Sequence, residues 1–269
     1  MIKCARSEIL AMELSQIIET AKTAEEILPN TVASVDGVVS AIVNVFNDLL
    51  LYPIKKANLT FRYKLEQFEN DLAAEISRRK IRILKQADVA IIGPTIEAMR
   101  YSMDIEELRK MYIKLLASSV DADMSSDVHP SFVEIIKRMD TIDARVFKAL
   151  SKQVGNQLIA NPIVGIKSTG KYFVNATPQW YMASLDSLGV DVFRCSSSYI
   201  RLSNLGLVDL MYDRTAGNAR CDWVLQSVAL KEILVAYQRQ NPDKVLELKW
   251  TDSILSVNDY GKQFARICL

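Results

Sequence analysis

A single histidine, His129, stands in this chain. Any Ser-His-Asp or Cys-His nucleophile would have to use it, and a zinc site normally draws on several His or Cys ligands. The four cysteines, Cys4, Cys195, Cys221 and Cys268, are scattered and form no CxxC pair. Without an export signal they read as reduced thiols in a cytoplasm. The chain has only nine glycines and seven prolines. So few breakers favour long helices over a many-turned β protein. Neither GxGxxG nor the P-loop pattern occurs, so no glycine loop is set to cradle a phosphate. No cofactor and no metal is expected.

Charge of one sign is also missing. The formal net charge is +1, which excludes a global basic field for nucleic acid or an anionic membrane and leaves only local patches. The opening MIKCARSEILAMELSQIIE is broken by acidic and polar residues before any apolar run of signal length, so no secretory leader is expected. No uncharged apolar run of about 18 residues is present to suggest a spanning helix. Three acidic residues, Asp121, Asp123 and Asp127, lie close in sequence, but the central Gly and closing Glu of a calcium loop are absent. The arginine that helical ribonucleases of the HEPN type place before a histidine is absent too, with Ala122, Asp123 and Met124 at those positions.

What is present is helical periodicity. Residues 6–27 carry Leu10, Leu14, Ile17, Ile18 and Ala21 on one face. Residues 32–51 are the most apolar window, interrupted by Asp36, Asn44, Asn47 and Asp48. They read as a helix buried on most sides; the sharper reading is a helix that leaves the protein for a bilayer, although its basic polar face is missing. Residues 56–88 are highly charged, with Leu65, Phe68, Leu72 and Ile76 as an apolar stripe. The cluster Arg78, Arg79, Lys80, Arg82 and Lys85 reads as a solvated helix face, with phosphate contact as the sharper alternative. Gly93-Pro94 predicts a break and a module boundary. Asp104 with Glu107 predicts a capped helix start, followed by Leu108, Met111, Tyr112, Leu115 and Leu116 on one face. Pro130 suits a first helical turn, and Asp140 or Thr141 a cap for the helix after it.

Past Lys152 the texture changes to short β-prone runs, LIANPIVGI and KYFVNA. Helices are expected at 179–188, 191–204 and 224–239, a strand at 205–212, one or two strands at 245–257, and a closing helix capped by Asn258. The tail thus resembles a winged-helix arrangement, in which the helix before the wing can enter a major groove. That helix offers Arg194, Tyr199, Arg201 and Ser196 to Ser198. Two positive charges make a thin electrostatic footprint, and the alternative is a winged-helix-like fold used for protein contact.

The segment VHPSFVEIIKRMDTIDARVFKAL (128–150) carries the motif His129-Pro130-Ser131-Phe132. Before it stand IGPTIEAMRYSMD (92–104) and EELRKMYIKLLASSVDAD (106–123). Near the end come Asn204-Leu205-Gly206-Leu207-Val208, then Gly261-Lys262 with Phe264 and Cys268. In these segments the chain resembles the abortive infection alpha (Abi-alpha) family of bacterial proteins. The resemblance is strongest over 92–150 and looser elsewhere. It implies a role in defence against phage and names no catalytic residue. Physically, the motif reads as a lock on a helix start.

The sequence therefore predicts a mainly α protein in three parts: long helices over 1–92, a central helical region over 93–153, and a small α+β winged-helix-like domain over 154–269. The expected function is anti-phage defence by binding or protein interaction without a recognisable catalytic site. The alternatives are a membrane effector using 32–51 and a DNA-binding regulator. Expected partners are a phage or host protein, a second copy of the chain, a nucleic acid, and a membrane on activation. The expected place is the cytoplasm, with membrane association when activated.

Overall fold

The structure, a computed structural model, describes residues 59–81, 83, 88–176, 190, 192–212 and 221–269, together with Gly37, Val39, Ser40, Ile42 and Val43. The helices expected over 6–27 and 179–188, and most of that over 32–51, lie outside the described residues. The chain divides into two units, Met1–Arg138 with Ile267–Leu269, and Met139–Arg266. The protein is mainly helical, with one small antiparallel sheet.

In the first unit, α1 (Leu59–Arg79) buries Phe68, Leu72 and Ile76, one residue per turn of a single face. It ends where Lys80 enters the left-handed region at φ 52°. Helix α2 (Val89–Met99) is capped by Asp88, whose carboxylate accepts the Ala90 N–H. The break expected at Gly93-Pro94 is corrected here, because α2 runs through both residues. Pro94 removes one helical donor, yet Ile91, Ile92, Ile96 and Met99 are buried around it, and this burial holds the helix together. The expected boundary at 92/93 thus falls inside a helix.

Helix α3 (Glu106–Ser119) starts one residue later than expected. Ile105 holds the cap position and makes no side-chain cap bond. Its apolar face is the expected one, with Leu108, Met111, Tyr112, Leu115 and Leu116 all buried. It packs on α1, on α2 and on the short helix α4 (Ser131–Arg138). Phe132, Val133, Ile135 and Ile136 of α4 are buried, each worth about 1.5–3 kcal/mol in apolar area removed from water.

In the second unit, α5 (Thr141–Leu150) starts with a capping box. Asp140 accepts the N–H groups of Ile142 and Asp143, and the Asp143 side chain accepts the Asp140 N–H. Two strands follow, β1 (Gln157–Ile166) and β2 (Tyr172–Asn175). Then come α6 (Val192–Asn204), β3 (Val208–Met211), α7 (Val228–Gln240), β4 (Leu246–Val257) and α8 (Asp259–Cys268), whose last residues count with the first unit. The sheet order is β2-β1-β4-β3, all antiparallel. Strands β1 and β4 pair along ten residues, from Gln157 opposite Leu255 to Ile166 opposite Leu246. The segment 245–257 is therefore one strand. Helix α7 buries Leu230 and sets Ile233, Leu234 and Tyr237 against Ala160, Val164, Leu246 and Leu248.

The strand expected from 205 begins at 208, because residues 205–207 close α6. Gly206, at φ 74°, donates to Ser203 O, and Leu207 donates to Leu202 O. That closure uses the left-handed conformation glycine adopts most readily.

Candidate functional site

The motif residues form one compact device at the start of α4. His129 is exposed, and its Nδ1 accepts the Ser131 N–H at 3.1 Å and lies 2.6 Å from Ser131 Oγ. The two backbone groups of this turn close on each other, with Phe132 N donating to His129 O and Val133 N to Pro130 O. Pro130 supplies the fixed φ of the first turn. Phe132 is 0% exposed, and its ring centroid lies 6.3 Å from that of His129. The imidazole thus does the work of a capping side chain, and the phenyl ring anchors the turn in the core.

The basic residues singled out from sequence separate into exposed and committed groups. Arg78 points to solvent and pairs with Glu75. Arg79 has a side chain only 11% exposed. It donates to Glu75 at 2.7 Å, to Ser118 Oγ at 2.6 Å and to Ile267 O at 3.4 Å. Arg79 is therefore corrected from a phosphate contact to a node that joins α1, α3 and the last turn of α8. Burial raises the Glu75 carboxyl, but the two arginine hydrogen bonds outweigh it and leave the group below its ordinary value. Lys80 is exposed and serves as the stop of α1.

On α6, Tyr199 is 1% exposed, and Cys195, Ser196 and Ser198 are buried beside it. Tyr199 therefore presents no surface to a nucleic acid, which corrects its reading as a contact. Helical geometry puts it on the face that packs against α5 and β3. Arg201 is half-committed. Its guanidinium meets Asp143 through Nε at 3.0 and 2.9 Å and through Nη2 at 2.8 Å, and Asp140 at 3.3 Å. The face of α6 turned outward carries Arg194, Ser197 and Asn204, with Arg201 between them.

Sequence reasoning missed Asp143. Its carboxylate is 0% exposed and accepts hydrogen bonds from Ser198 Oγ, Arg201 and the Asp140 backbone. The available signal was its position three residues after a capping Asp, which reads as a cap and hides the second role.

The loop of Asp121, Asp123 and Asp127 is organised internally, with Asp121 accepting the Asp123 N–H. Among the described residues, no group of three or more His, Cys, Asp or Glu is placed to hold a metal ion. Cys195, Cys221 and Cys268 are buried thiols. Burial, with Asp252 beside it, pushes the Cys221 thiol up to about 12, and burial pushes Cys268 up as well.

A shallow polar groove of about 560 Å³ lies over the tail segment, lined by Gln153, Asn156, Asp209, Asn258, Asp259 and Lys262 among others. Four of these side chains pair within the groove or with nearby backbone. Lys262 pairs with Asp259 at 2.8 Å, and Asn258 donates to Gly206 O and Asp209 while accepting the Gly261 N–H. Gly261 is required here, since a Cβ on it would sit 2.0 Å from Leu207 O.

No protein of curated function matches the chain. Among solved structures, an uncharacterized protein from the hydrocarbon-degrading marine bacterium Alcanivorax borkumensis SK2 is 16% identical. It covers 51% of this chain and 91% of its own, with a TM-score of 0.31, and carries no argument about fold or function. The family model for abortive infection alpha matches residues 60–268, which takes in the capped motif turn, Asn258 and the glycines Gly206 and Gly261, so the chain belongs to the abortive infection alpha family.

Proposed function

We propose that this protein takes part in bacterial defence against phage by abortive infection, and that it acts through contact with another protein rather than by catalysis. The observation that carries the reading is the commitment of the groups best suited to chemistry. His129 caps its own helix, Asp143 is neutralised by Arg201, and the Cys221 thiol is held protonated by burial. A protein partner, of phage or host origin, is favoured by apolar side chains on the outer side of α7 and the turn before it. Leu225, Val228 and Val235 are 49%, 70% and 48% exposed, and Val228 and Val235 are two helical turns apart on one stripe. The test is phage plating on strains with and without the gene, across a phage panel. Restored protection by the wild type but not by Val228→Lys/Val235→Lys supports the reading, and equal plating with and without the gene sinks it.

A second reading is DNA binding by the tail. The order β1-β4-β3, with α6 leading into β3, supports a winged-helix-like arrangement. The outward stripe Arg194, Ser197, Arg201 and Asn204 supplies side chains of the types that meet phosphates and base edges. A gel shift at low salt that Arg194→Ala weakens would favour it. For the membrane alternative, no helix among the described residues is long and apolar enough to cross a bilayer. Of the five described residues in the 32–51 window, Val39, Ile42 and Val43 are buried, while Gly37 and Ser40 are exposed. Fractionation of cells before and during infection tests this alternative.

A further inference from the structure

The turn joining β1 and β2 is an exposed lysine-rich tip that neither reading above uses. Residues Lys167, Ser168, Thr169, Gly170 and Lys171 are all exposed. The turn is closed by its backbone. Thr169 N and Gly170 N both donate to Ile166 O, Ile166 N donates to Lys171 O, and Gly170 takes the left-handed conformation at φ 66°. The Lys171 N–H donates to Thr169 Oγ1, which further orders the tip.

A third ammonium group is brought here from another strand. Lys249 of β4 stands opposite Ile163, and its aliphatic stem crosses β1 at Gly165. A Cβ at Gly165 would lie 3.1 Å from Lys249 Cδ and 3.3 Å from Cε, so the glycine leaves the lane that the lysine occupies. The Lys249 ammonium then donates to Gly170 O at 3.1 Å. The carboxylates near this end are already engaged, Glu247 with Lys249 at 3.3 Å and Asp243 with Lys244 at 3.2 Å. Lys167 and Lys171 have no acidic partner among the described residues. Among the described residues the tip therefore carries two lysines without an acidic partner, on a hairpin turn closed by its own backbone hydrogen bonds with two hydroxyl groups between the lysines, in a chain whose net charge is only +1.

We infer that this hairpin tip grips the phosphate backbone of a nucleic-acid duplex, with Lys167 and Lys171 as the phosphate contacts and Lys249 as the group that holds the turn in place. The inference rests on the second reading for the identity of its partner and adds a contact that α6 does not supply. Backbone contacts of this kind position a protein without reading sequence, and each releases counterions, so its signature is salt dependence.

The experiment is fluorescence anisotropy of the full chain with a labelled DNA duplex of mixed sequence, over a range of salt concentrations. The proteins compared are the wild type, Lys167→Ala/Lys171→Ala, Lys167→Arg/Lys171→Arg and Arg194→Ala. All three substituted side chains lie on the surface, so circular dichroism should be unchanged. The expected result is a log–log salt slope smaller by about 2 in the double alanine variant, and an affinity lower on the order of a hundredfold at about 50 mM salt. The double arginine variant should bind as the wild type does, because the contact is to charge. If the wild type binds, Arg194→Ala weakens it and the double alanine variant does not, the hairpin inference is overturned while the second reading stands. If the wild type does not bind at low salt, both are overturned. Lysine-dependent binding to phosphatidylserine vesicles without duplex binding also overturns the nucleic-acid assignment.

Discussion

Asp143 and Arg201 form a two-pronged ion pair, with Arg201 Nε at 3.0 and 2.9 Å from the two carboxylate oxygens and Nη2 at 2.8 Å from one of them. The acid is wholly buried, while the arginine side chain is 40% exposed. The pair joins α5 to α6, and Ser198 completes the shell around the carboxylate. Removing Arg201 leaves a buried charge without its counterion. Arg201→Ala is expected to lower stability by about 3 kcal/mol, the low end of the range for buried pairs because solvent reaches part of the guanidinium. Urea unfolding measures this. Arg201→Lys, which keeps the charge and loses the fork, should fall in between. An Arg201→Ala protein as stable as the wild type would mean that the pair is not formed.

Gly261 tests the packing of α8. A Cβ there meets Leu207 O at 2.0 Å and Val257 Cγ1 at 2.9 Å. The first of these neighbours is backbone and cannot swing away. Gly261→Ala should cost roughly 3 kcal/mol or more, the upper end for overpacking, while Lys262→Ala next to it should change stability by less than about 0.5 kcal/mol as an exposed position. Thermal melts of the two variants decide the matter.

His129 separates capping from recognition. His129→Ala removes an acceptor for the Ser131 N–H and should cost about 1 kcal/mol. His129→Asn retains an acceptor and should recover most of that loss. If the motif serves only the fold, the asparagine variant protects cells from phage as the wild type does. Loss of protection in a stable asparagine variant would instead assign His129 to partner contact.

Glu75 gives the first unit an acid limb. Its carboxyl lies below the ordinary value of 4.5 in the folded chain. The stabilisation it supplies is thus fully present above about pH 4.5 and is lost as pH falls through the depressed folded value. Glu75→Gln should be less stable than the wild type at neutral pH, and the gap should close on acidification. A gap that stays constant down to pH 2 would show that Glu75 does not titrate with folding.

Much of the helical unit was legible because its signals are local. The apolar face of α3 repeats every three or four residues, and all five expected positions are buried. Of the two cap candidates, Asp140 and Thr141, the first caps α5, and the candidates were readable because a cap is made within three residues of itself. His129-Pro130 was readable as a helix-start lock for the same reason. Gly93-Pro94 misled because breaker chemistry is also local, whereas the burial of Ile91, Ile92 and Ile96 that overrides it is not.

The site was less legible. Arg78, Arg79 and Lys80 look alike as a basic run, and only tertiary packing separates an exposed arginine, a buried node and a helix stop. Arg79 meets Ser118 across 39 positions and Ile267 across 188, and no window of sequence holds such a pair. Tyr199 and Ser197 are two residues apart, yet one faces the core and the other solvent, because a helix turns by 100° at each step. The amino-acid order settled which segments are helical, where several of them start, and that one histidine limits the chemistry. Which charges face outward, which carboxylate is neutralised and where Lys249 crosses the sheet were decided by long-range packing, because those contacts join residues that share no local pattern.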